Sequence, residues 1–276
     1  MDTPDYRPKS GKFEWHITYR CNLGCKACSR CSWFKEPHAP DMTIEDAKRC
    51  MREADEIGWR QMPGPGNGAE PPRVIIIGGE PTLHPDLMEF IKLAMDWTGT
   101  YVQIFSNGYT QESRDILDRA RMQLSASINT EGFKTASREK SEDEAGEQVW
   151  NLETYVSPNE AGMPLKLCYC HSFLICGVGV DSTGYSLCPI GLSVSNILGV
   201  SGKSNRLADL WNIQKAYDMT AAMCGDCGYA AQYRYGPDQM LDKFMEYANA
   251  CPKIKGALVS PKWQGALAAR GESLLS

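Results

Sequence analysis

The 276-residue sequence lacks the features typical of membrane, secreted and nucleic-acid-binding proteins. No uninterrupted apolar run approaches membrane-spanning length, and residues 1–9 are polar where a secretory signal has an apolar stretch. Asp and Glu outnumber Lys and Arg, and the formal net charge is −5. This lack of basic excess argues against a nucleic-acid partner. Internal repeats and low-complexity segments are also missing. We therefore expect a cytoplasmic protein with no membrane partner.

Cysteine, in contrast, is abundant, with 12 residues. In a secreted protein this number would suggest disulfides, but without a secretory signal the clustered cysteines are better interpreted as metal ligands. Isolated ones such as Cys50 and Cys251 are expected to be small buried apolar residues. Seven fall into two clusters, which are Cys21, Cys25 and Cys28 near the start and Cys176, Cys188, Cys224 and Cys227 in the last third.

The first half of the chain alternates strand-like and helix-like segments, a pattern typical of β/α units around a largely parallel sheet. A capping-box pattern begins the first helix at Thr43. Further on, a hairpin with its turn at residues 181–184 and helices over 207–223 and 238–250 are predicted. The predicted strands cover 13–18, 73–77, 101–105 and 123–128, and the predicted helices cover 43–57, 85–97, 111–122 and 137–148.

The first cluster is a C-x3-C-x2-C run directly after the predicted strand 13–18. Three soft thiolates in one short loop suit an iron-sulfur cluster, and because three ligands cannot saturate four irons, one iron stays open to another molecule. A zinc site and a ferredoxin-type cluster beginning at Cys25, Cys28 and Cys31 are the alternatives. Against them, no fourth Cys or His lies at a usual zinc spacing, and no Cys-Pro ligand follows Cys31.

Together with Gly78-Gly79-Glu80-Pro81-Thr82, this run resembles the radical S-adenosylmethionine superfamily over about residues 13–130. The resemblance implies a four-iron four-sulfur cluster on Cys21, Cys25 and Cys28 that binds S-adenosylmethionine. It also implies that backbone groups of Gly78, Gly79 and Glu80 receive the amino group of that cofactor. Positions that resemble contacts to its methionine and ribose ends, with simple turn or strand-end roles as the alternative, are Asn107, Ser127 and Asn129.

Two positions depart from the superfamily pattern. Ala27 stands where many members have an aromatic residue, and Asn129 stands where Asp is frequent. We expect altered packing around the adenine and altered ribose contacts, with the cluster interpretation unchanged.

The second cluster resembles the SPASM and twitch auxiliary domains of the same superfamily. The resemblance rests on the hairpin around 181–184, the segments 196–199 and 207–212, and Cys224-x2-Cys227. Only Cys251 follows Cys227, so the shorter twitch form fits better. It implies a second four-iron four-sulfur cluster, with Cys170 as a possible replacement for one ligand and a zinc ribbon as the alternative. The implied ligands are Cys176, Cys188, Cys224 and Cys227.

The implied fold is α/β, a partial (β/α) TIM-like barrel carrying a small twitch domain made of a β-hairpin and a helix. We expect the radical core to cover residues 1–163, the twitch-type domain 164–235 and a C-terminal helical extension 236–276. The short stretch before Phe13 leaves no room for an added leader-binding domain, which favours a small-molecule substrate over a peptide.

The implied activity is reductive cleavage of S-adenosylmethionine to a 5′-deoxyadenosyl radical, which abstracts a hydrogen atom from a small molecule. Relatives with a twitch module include 2-deoxy-scyllo-inosamine dehydrogenase, so we expect an oxidation in which the auxiliary cluster accepts an electron from the substrate. The implied reductant is a flavodoxin- or ferredoxin-type protein.

Crosslinking, epimerisation or rearrangement of a peptide or nucleotide is the enzymatic alternative, and a zinc-stabilised binding protein is the non-enzymatic one. Candidate bases are His16, His171, Arg60 and Arg138.

Overall fold

The computed structural model describes residues 7–8, 11–23, 28, 30–32, 36–61, 73–99, 102–125, 133–137, 176–227 and 261–270. These residues form a mixed α/β structure around one six-stranded sheet in the order β4-β3-β2-β1-β5-β6. Strands β1 to β5 run parallel to their neighbours, and β6 is antiparallel to β5. The strands are β1 (Lys12–Thr18), β2 (Arg73–Gly78), β3 (Val102–Ser106), β4 (Phe133–Ser137), β5 (Val178–Asp181) and β6 (Gly184–Ser186).

Helices connect β1 to β2, β2 to β3 and β3 to β4, as expected for β/α units. The predicted capping box at the start of α1 is confirmed, because Thr43 Oγ1 accepts from the N–H of Asp46 at 3.1 Å and the Asp46 carboxylate accepts from the N–H of Thr43 at 2.9 Å. Short 3₁₀ helices cover residues 59–61, 81–83 and 207–211. The α-helices are α1 (Ile44–Glu56), α2 (Leu87–Thr98), α3 (Gln111–Ser125), α4 (Pro189–Leu198), α5 (Ile213–Cys224) and α6 (Pro261–Ala268).

Strand β1 lies in the middle of the sheet, and all seven of its residues are buried. Its side chains alternate between two faces. On one face, Phe13 and Trp15 pack against Trp97, and Trp97 stacks on Trp59 with their ring centroids 4.2 Å apart. Such aromatic pairs contribute about 0.5–1.5 kcal/mol each beyond area burial. This aromatic core attaches α1, α2 and the 59–61 turn to the sheet.

The opposite face of β1 carries Glu14 and His16 and is covered in part by α4. Gly179 on β5 pairs with Glu14 and therefore faces the same side of the sheet. A Cβ atom at Gly179 would lie 2.7 Å from the Cα atom of Pro189, so the glycine lets α4 pack directly on the strand. The predicted hairpin is confirmed, and its first strand extends the main sheet beside β1.

The predicted fourth strand over 123–128 is wrong for residues 123–125, because α3 continues to Ser125. The segment Arg119 to Leu124 contains good helix formers and no Gly or Pro that would end the helix earlier. The next described strand is β4, which begins at Phe133. Residues 126–128 lie outside the described residues, as do all but Ser137 of the predicted helix 137–148. Ser137 itself ends β4.

The predicted helix 207–223 is two helices. Asn212 separates them, because its Oδ1 atom accepts from the N–H of Lys215 at 3.0 Å and caps α5. Helices α4 and α6 were not predicted, and the helix predicted over 238–250 lies outside the described residues. The barrel, the separate twitch domain and the boundaries at residues 163 and 235 stay predictions. In the described part of the chain, no helix combines the length and the apolar character needed to span a bilayer.

Candidate functional site

The loops that follow β1, β2 and β3 meet at one edge of the sheet. They carry Cys21, the Gly78-Gly79-Glu80 turn and Asn107, respectively. Ligands of open parallel sheets commonly bind at the carboxyl ends of the strands, where such loops gather. The topology therefore brings one predicted cluster ligand and four predicted cofactor contacts to the same edge.

The Gly-Gly-Glu turn is attached to the chain segment that leads into Cys21. The N–H of Gly79 donates to Thr18 O and the N–H of Glu80 donates to Arg20 O, both at 2.8 Å. A Cβ atom at Gly78 would lie 2.0 Å from Thr18 O, and one at Gly79 would lie 2.2 Å from Arg20 O. Both glycines are thus required by the backbone after β1, a reason that comes in addition to the predicted approach of a cofactor.

Glu80 connects the ends of β2 and β3 through its fully buried carboxylate. Oε1 accepts from the N–H and the hydroxyl of Thr82, at 3.0 and 2.7 Å, and from the hydroxyl of Ser106 at 2.8 Å. Oε2 accepts from the N–H of Asn107 at 2.7 Å. Because these donors occupy the carboxylate, it fixes the turn, and the contact of the turn's backbone with a cofactor stays a prediction.

Asn107 lies directly against the first cysteine. Its Nδ2 atom donates to Asn22 Oδ1 at 2.8 Å and is 3.7 Å from Cys21 Sγ, while Oδ1 accepts from the N–H of Tyr109 at 2.9 Å. The N–H of Leu23 is 3.4 Å from the same sulfur. Donors directed at a sulfur stabilise its thiolate form, the form that binds metals. The predicted contact of Asn107 with the cofactor stays a prediction.

The remaining predicted residues of this first site are only partly described. Cys28 is half-buried, and its carbonyl accepts from the N–H of Cys31 at 2.9 Å. Cys31 itself is fully buried. Outside the described residues lie Cys25, Ala27, Ser127 and Asn129.

The four cysteines of the second cluster lie at element ends around the hairpin. Cys176 precedes β5, Cys188 is the residue before α4, Cys224 ends α5, and the N–H of Cys227 lies 3.4 Å from Cys224 O. The last three are buried. A purely thiolate set suits either an iron-sulfur cluster or zinc.

At neither cysteine cluster do the described side chains form a group of three metal ligands. Within the described ranges, no three side chains of the types His, Cys, Asp and Glu are close enough to hold one ion. Helix α6 supports the C-x2-C turn, because Trp263 Nε1 donates to Asp226 O at 2.9 Å and Lys262 Nζ contacts the Asp226 carboxylate. The ligand set of the second cluster stays a prediction, as does the replacement by Cys170, which lies outside the described residues.

A buried polar cluster on the Glu14 and His16 face of the sheet was not predicted as a unit. Arg30 Nη2 pairs with Glu14 Oε2 at 2.8 Å, and His16 Nε2 lies 3.9 Å from the same oxygen. The Tyr19 hydroxyl is 3.2 Å from His16 Nδ1 and 3.0 Å from Asp181 Oδ2. Alternation of polar residues within the predicted strand 13–18 is the sequence signal that indicates this face.

Burial lowers the pKa of both histidines of this polar cluster, His16 and His38, below the ordinary value. Burial, followed by the positive charge of Arg30, lowers the pKa of His16 well below its ordinary value. Burial lowers the pKa of His38 to about 4. His38 packs against the Tyr19 ring with centroids 3.9 Å apart, and its Nε2 contacts Arg30 O at 2.9 Å.

Of the four candidate bases, His16 is the one inside this polar cluster. Arg60 lies in the 59–61 turn, where it pairs with Asp55 at 3.2 Å, and its side chain is half-exposed. His171 and Arg138 lie outside the described residues.

Similarity to known proteins supports the superfamily and leaves the reaction open. No family model matches the chain. An AdoMet-dependent heme synthase of Methanosarcina barkeri is 30% identical over 125 residues, which are 44% of this chain and 32% of the relative. A 7,8-dihydro-6-hydroxymethylpterin dimethyltransferase of Methanocaldococcus jannaschii is 31% identical over 105 residues, 38% of this chain and 19% of the relative. The similarity therefore spans about a third or less of the length of these two relatives. The similarity to such relatives supports the resemblance of this chain to the radical S-adenosylmethionine superfamily.

Proposed function

We propose that this chain binds a four-iron four-sulfur cluster through Cys21, Cys25 and Cys28 and uses it with S-adenosylmethionine to abstract a hydrogen atom from a small-molecule substrate. The observation that carries the proposal is the contact of Asn107 Nδ2 with Cys21 Sγ at 3.7 Å, with Glu80 fixed beside it. The loop that carries Cys21, the Gly78-Gly79-Glu80 turn and the loop after β3 thus hold one another in place. When bound, the cluster supplies the electron that splits S-adenosylmethionine into methionine and a 5′-deoxyadenosyl radical.

The residues of the chain contribute positioning and exclusion of water. Glu80 holds the turn whose backbone carbonyls would accept from the amino group of the cofactor, since the N–H bonds of an amino group need acceptors. The N–H groups of Gly79 and Glu80 are already donated to Thr18 O and Arg20 O, which orients the turn. Burial of β1 on both faces excludes water from the sheet that supports the turn, and a dry, fixed site is what a reactive radical requires.

We further propose that the reaction is an oxidation and that Cys176, Cys188, Cys224 and Cys227 hold a second four-iron four-sulfur cluster, which accepts an electron. Support comes from the burial of three of these thiols and from the turn that links Cys224 to Cys227. A flavodoxin- or ferredoxin-type protein is the proposed source of electrons for the first cluster. The alternative is that the radical crosslinks, epimerises or rearranges a peptide or nucleotide substrate.

Anaerobic reconstitution followed by iron, zinc and 5′-deoxyadenosine analysis tests the proposal. We expect about eight irons per chain and deoxyadenosine formation with dithionite and S-adenosylmethionine. Replacing Cys176, Cys188, Cys224 and Cys227 by Ala should leave about four irons, whereas replacing Cys21, Cys25 and Cys28 by Ala should abolish deoxyadenosine. Cys50→Ala is the matched control, because Cys50 is buried in the aromatic core. Zinc in place of iron with no deoxyadenosine would support the zinc-stabilised binding protein instead.

A further inference from the structure

Asn22, the residue directly after Cys21, has a carboxamide whose orientation is fixed by its neighbours. The N–H of Tyr109 donates to the Asn107 side chain at 2.9 Å, and because a backbone N–H can only donate, the receiving atom of Asn107 is its Oδ1. The other end of that carboxamide is therefore the donor Nδ2, which lies 2.8 Å from Asn22. It follows that Asn22 presents its Oδ1 atom to Asn107 and directs its own Nδ2 elsewhere.

The nitrogen of the Asn22 carboxamide is a buried donor. Within the described residues, Asn22 Nδ2 has no hydrogen-bond partner. Rotating the carboxamide by half a turn would not help, because it would set the two donors Asn22 Nδ2 and Asn107 Nδ2 against each other. A buried N–H group without an acceptor destabilises a fold, and in native proteins such a group calls for a specific explanation, such as an acceptor that a bound group supplies.

The acceptor for Asn22 Nδ2 is expected beside Cys21. Asn107 Nδ2 is 2.8 Å from Asn22 Oδ1 and 3.7 Å from Cys21 Sγ, so the two carboxamides and the thiol form one group. The N–H of Leu23 is directed at the same sulfur, at 3.4 Å. No described sulfur lies within hydrogen-bonding distance of Asn22 Nδ2. This donor therefore fits a group that binds through Cys21 and brings further acceptors with it.

An iron-sulfur cluster brings such acceptors, because its thiolates and sulfides carry negative charge and accept N–H donors. We propose that Asn22 tunes the first cluster by donating from Nδ2 to a cluster sulfur next to Cys21; this inference rests on the proposed function. Asn107 then has two roles. It directs one N–H at Cys21 Sγ, and it holds the Asn22 carboxamide in the orientation that provides a second donor. Both donors stabilise the more negative, reduced form of the cluster.

Redox titration with EPR detection tests this donor on the reconstituted protein without S-adenosylmethionine. Asn22→Leu keeps the size of the side chain and removes its N–H bonds. A hydrogen bond changes an equilibrium constant about fivefold, so we expect a one-electron potential that is about 40 mV more negative. Asn205→Leu, at an exposed position before the 3₁₀ helix 207–211, is the matched control and should leave the potential unchanged. An unchanged potential in Asn22→Leu at wild-type iron content overturns the proposal.

A double variant separates a direct contact from an effect that passes through Asn107. If Asn22 only supported Asn107, then adding Asn22→Leu to a protein that already carries Asn107→Leu would change nothing. We expect a further negative shift instead, because the Asn22 donor acts on the cluster itself. The absence of a further shift in the double variant would assign the whole effect to Asn107 and overturn the proposal.

Pulsed EPR gives a second readout, which holds even if Asn22→Leu binds less iron. In reduced wild-type protein with nitrogen-15 in the asparagine side chains, we expect hyperfine couplings from two nitrogens, and one of them should remain in Asn107→Leu. Loss of both couplings in Asn107→Leu overturns the proposal. Weaker binding of S-adenosylmethionine by Asn22→Leu at an unchanged potential overturns it too, and would assign the donor to the carboxylate of that cofactor.

Iron content and deoxyadenosine formation of the wild-type protein report the proposed function separately. A wild-type protein that binds no iron contradicts both the proposed function and this inference. A wild-type protein that binds the cluster and forms deoxyadenosine, but whose potential does not respond to Asn22→Leu, contradicts this inference alone.

Discussion

The two cysteine regions differ in how the chain holds their thiols. Around Cys21, side-chain hydrogen bonds join three loops that are far apart in sequence, from Asn22 to Asn107 and from Glu80 to Ser106. Around Cys188 and Cys224, the thiols lie at helix ends, and Met223 packs against Gly191 and Gly202 to join α5 to α4. The first region is thus organised by polar contacts. In the second, apolar packing brings the elements near one another, and metal binding would complete the site.

Of the substitutions that test this comparison, Glu80→Ala should have the largest effect. The substitution leaves the donors of Thr82, Ser106 and Asn107 without their buried acceptor. We expect a loss of about 4 kcal/mol in the free energy of unfolding, measured by urea denaturation. Glu45→Ala, at an exposed position in α1, should change it by less than about 0.5 kcal/mol. A small effect of Glu80→Ala would show that the first region is no better organised than the second.

Metal removal should affect the second region more than the first. Binding of a cluster by the folded state alone stabilises it by about 4 kcal/mol at a thousandfold excess over Kd. We expect hydrogen exchange of α5 to slow on reconstitution, with less change in β1 and β2. Cys224→Ala with Cys227→Ala should remove the slowing in α5. Equal slowing in both regions would contradict the idea that only the second depends on metal for its final arrangement.

Contacts between residues that are close in sequence could be predicted, whereas contacts between residues far apart in sequence could not. The Thr43 capping box spans three residues and was predicted, whereas the partners of Glu80 lie up to 27 residues away and were not. Helix α4 was missed because nearly all of its residues are buried, so no polar face gives it a helical period. Its sequence signal was Pro189 at the first helical position. The glycines at 78 and 79 were predicted, but the contact that requires them, to Thr18 and Arg20, depends on the fold.

Acid should weaken the polar face of β1 at a pH where the aromatic face is unaffected. The pKa of His38 is lowered from 6.5 to about 4, so between these values the unfolded chain binds a proton that the folded chain does not. Stability is therefore complete above about pH 6.5 and falls as the pH drops to about 4, by roughly 3 kcal/mol from this residue. His38→Gln should flatten this part of the pH profile of unfolding. An unchanged slope would mean that His38 is solvated in the native state.

Asn107→Leu should give the smallest effect, a shift in the reduction potential of the first cluster. The amide N–H near Cys21 Sγ would stabilise the more negative, reduced form of the proposed cluster, so its loss should make the potential more negative. A hydrogen bond of about 1 kcal/mol corresponds to a shift on the order of tens of millivolts, measurable by redox titration with EPR detection. Asn212→Ala, at the start of α5, is the control and should leave this potential unchanged while costing about 1 kcal/mol in stability. If Asn107→Leu instead weakened binding of S-adenosylmethionine with no shift in potential, Asn107 would be a cofactor contact. The polar contacts of the first region would then position the cofactor and not the cysteine.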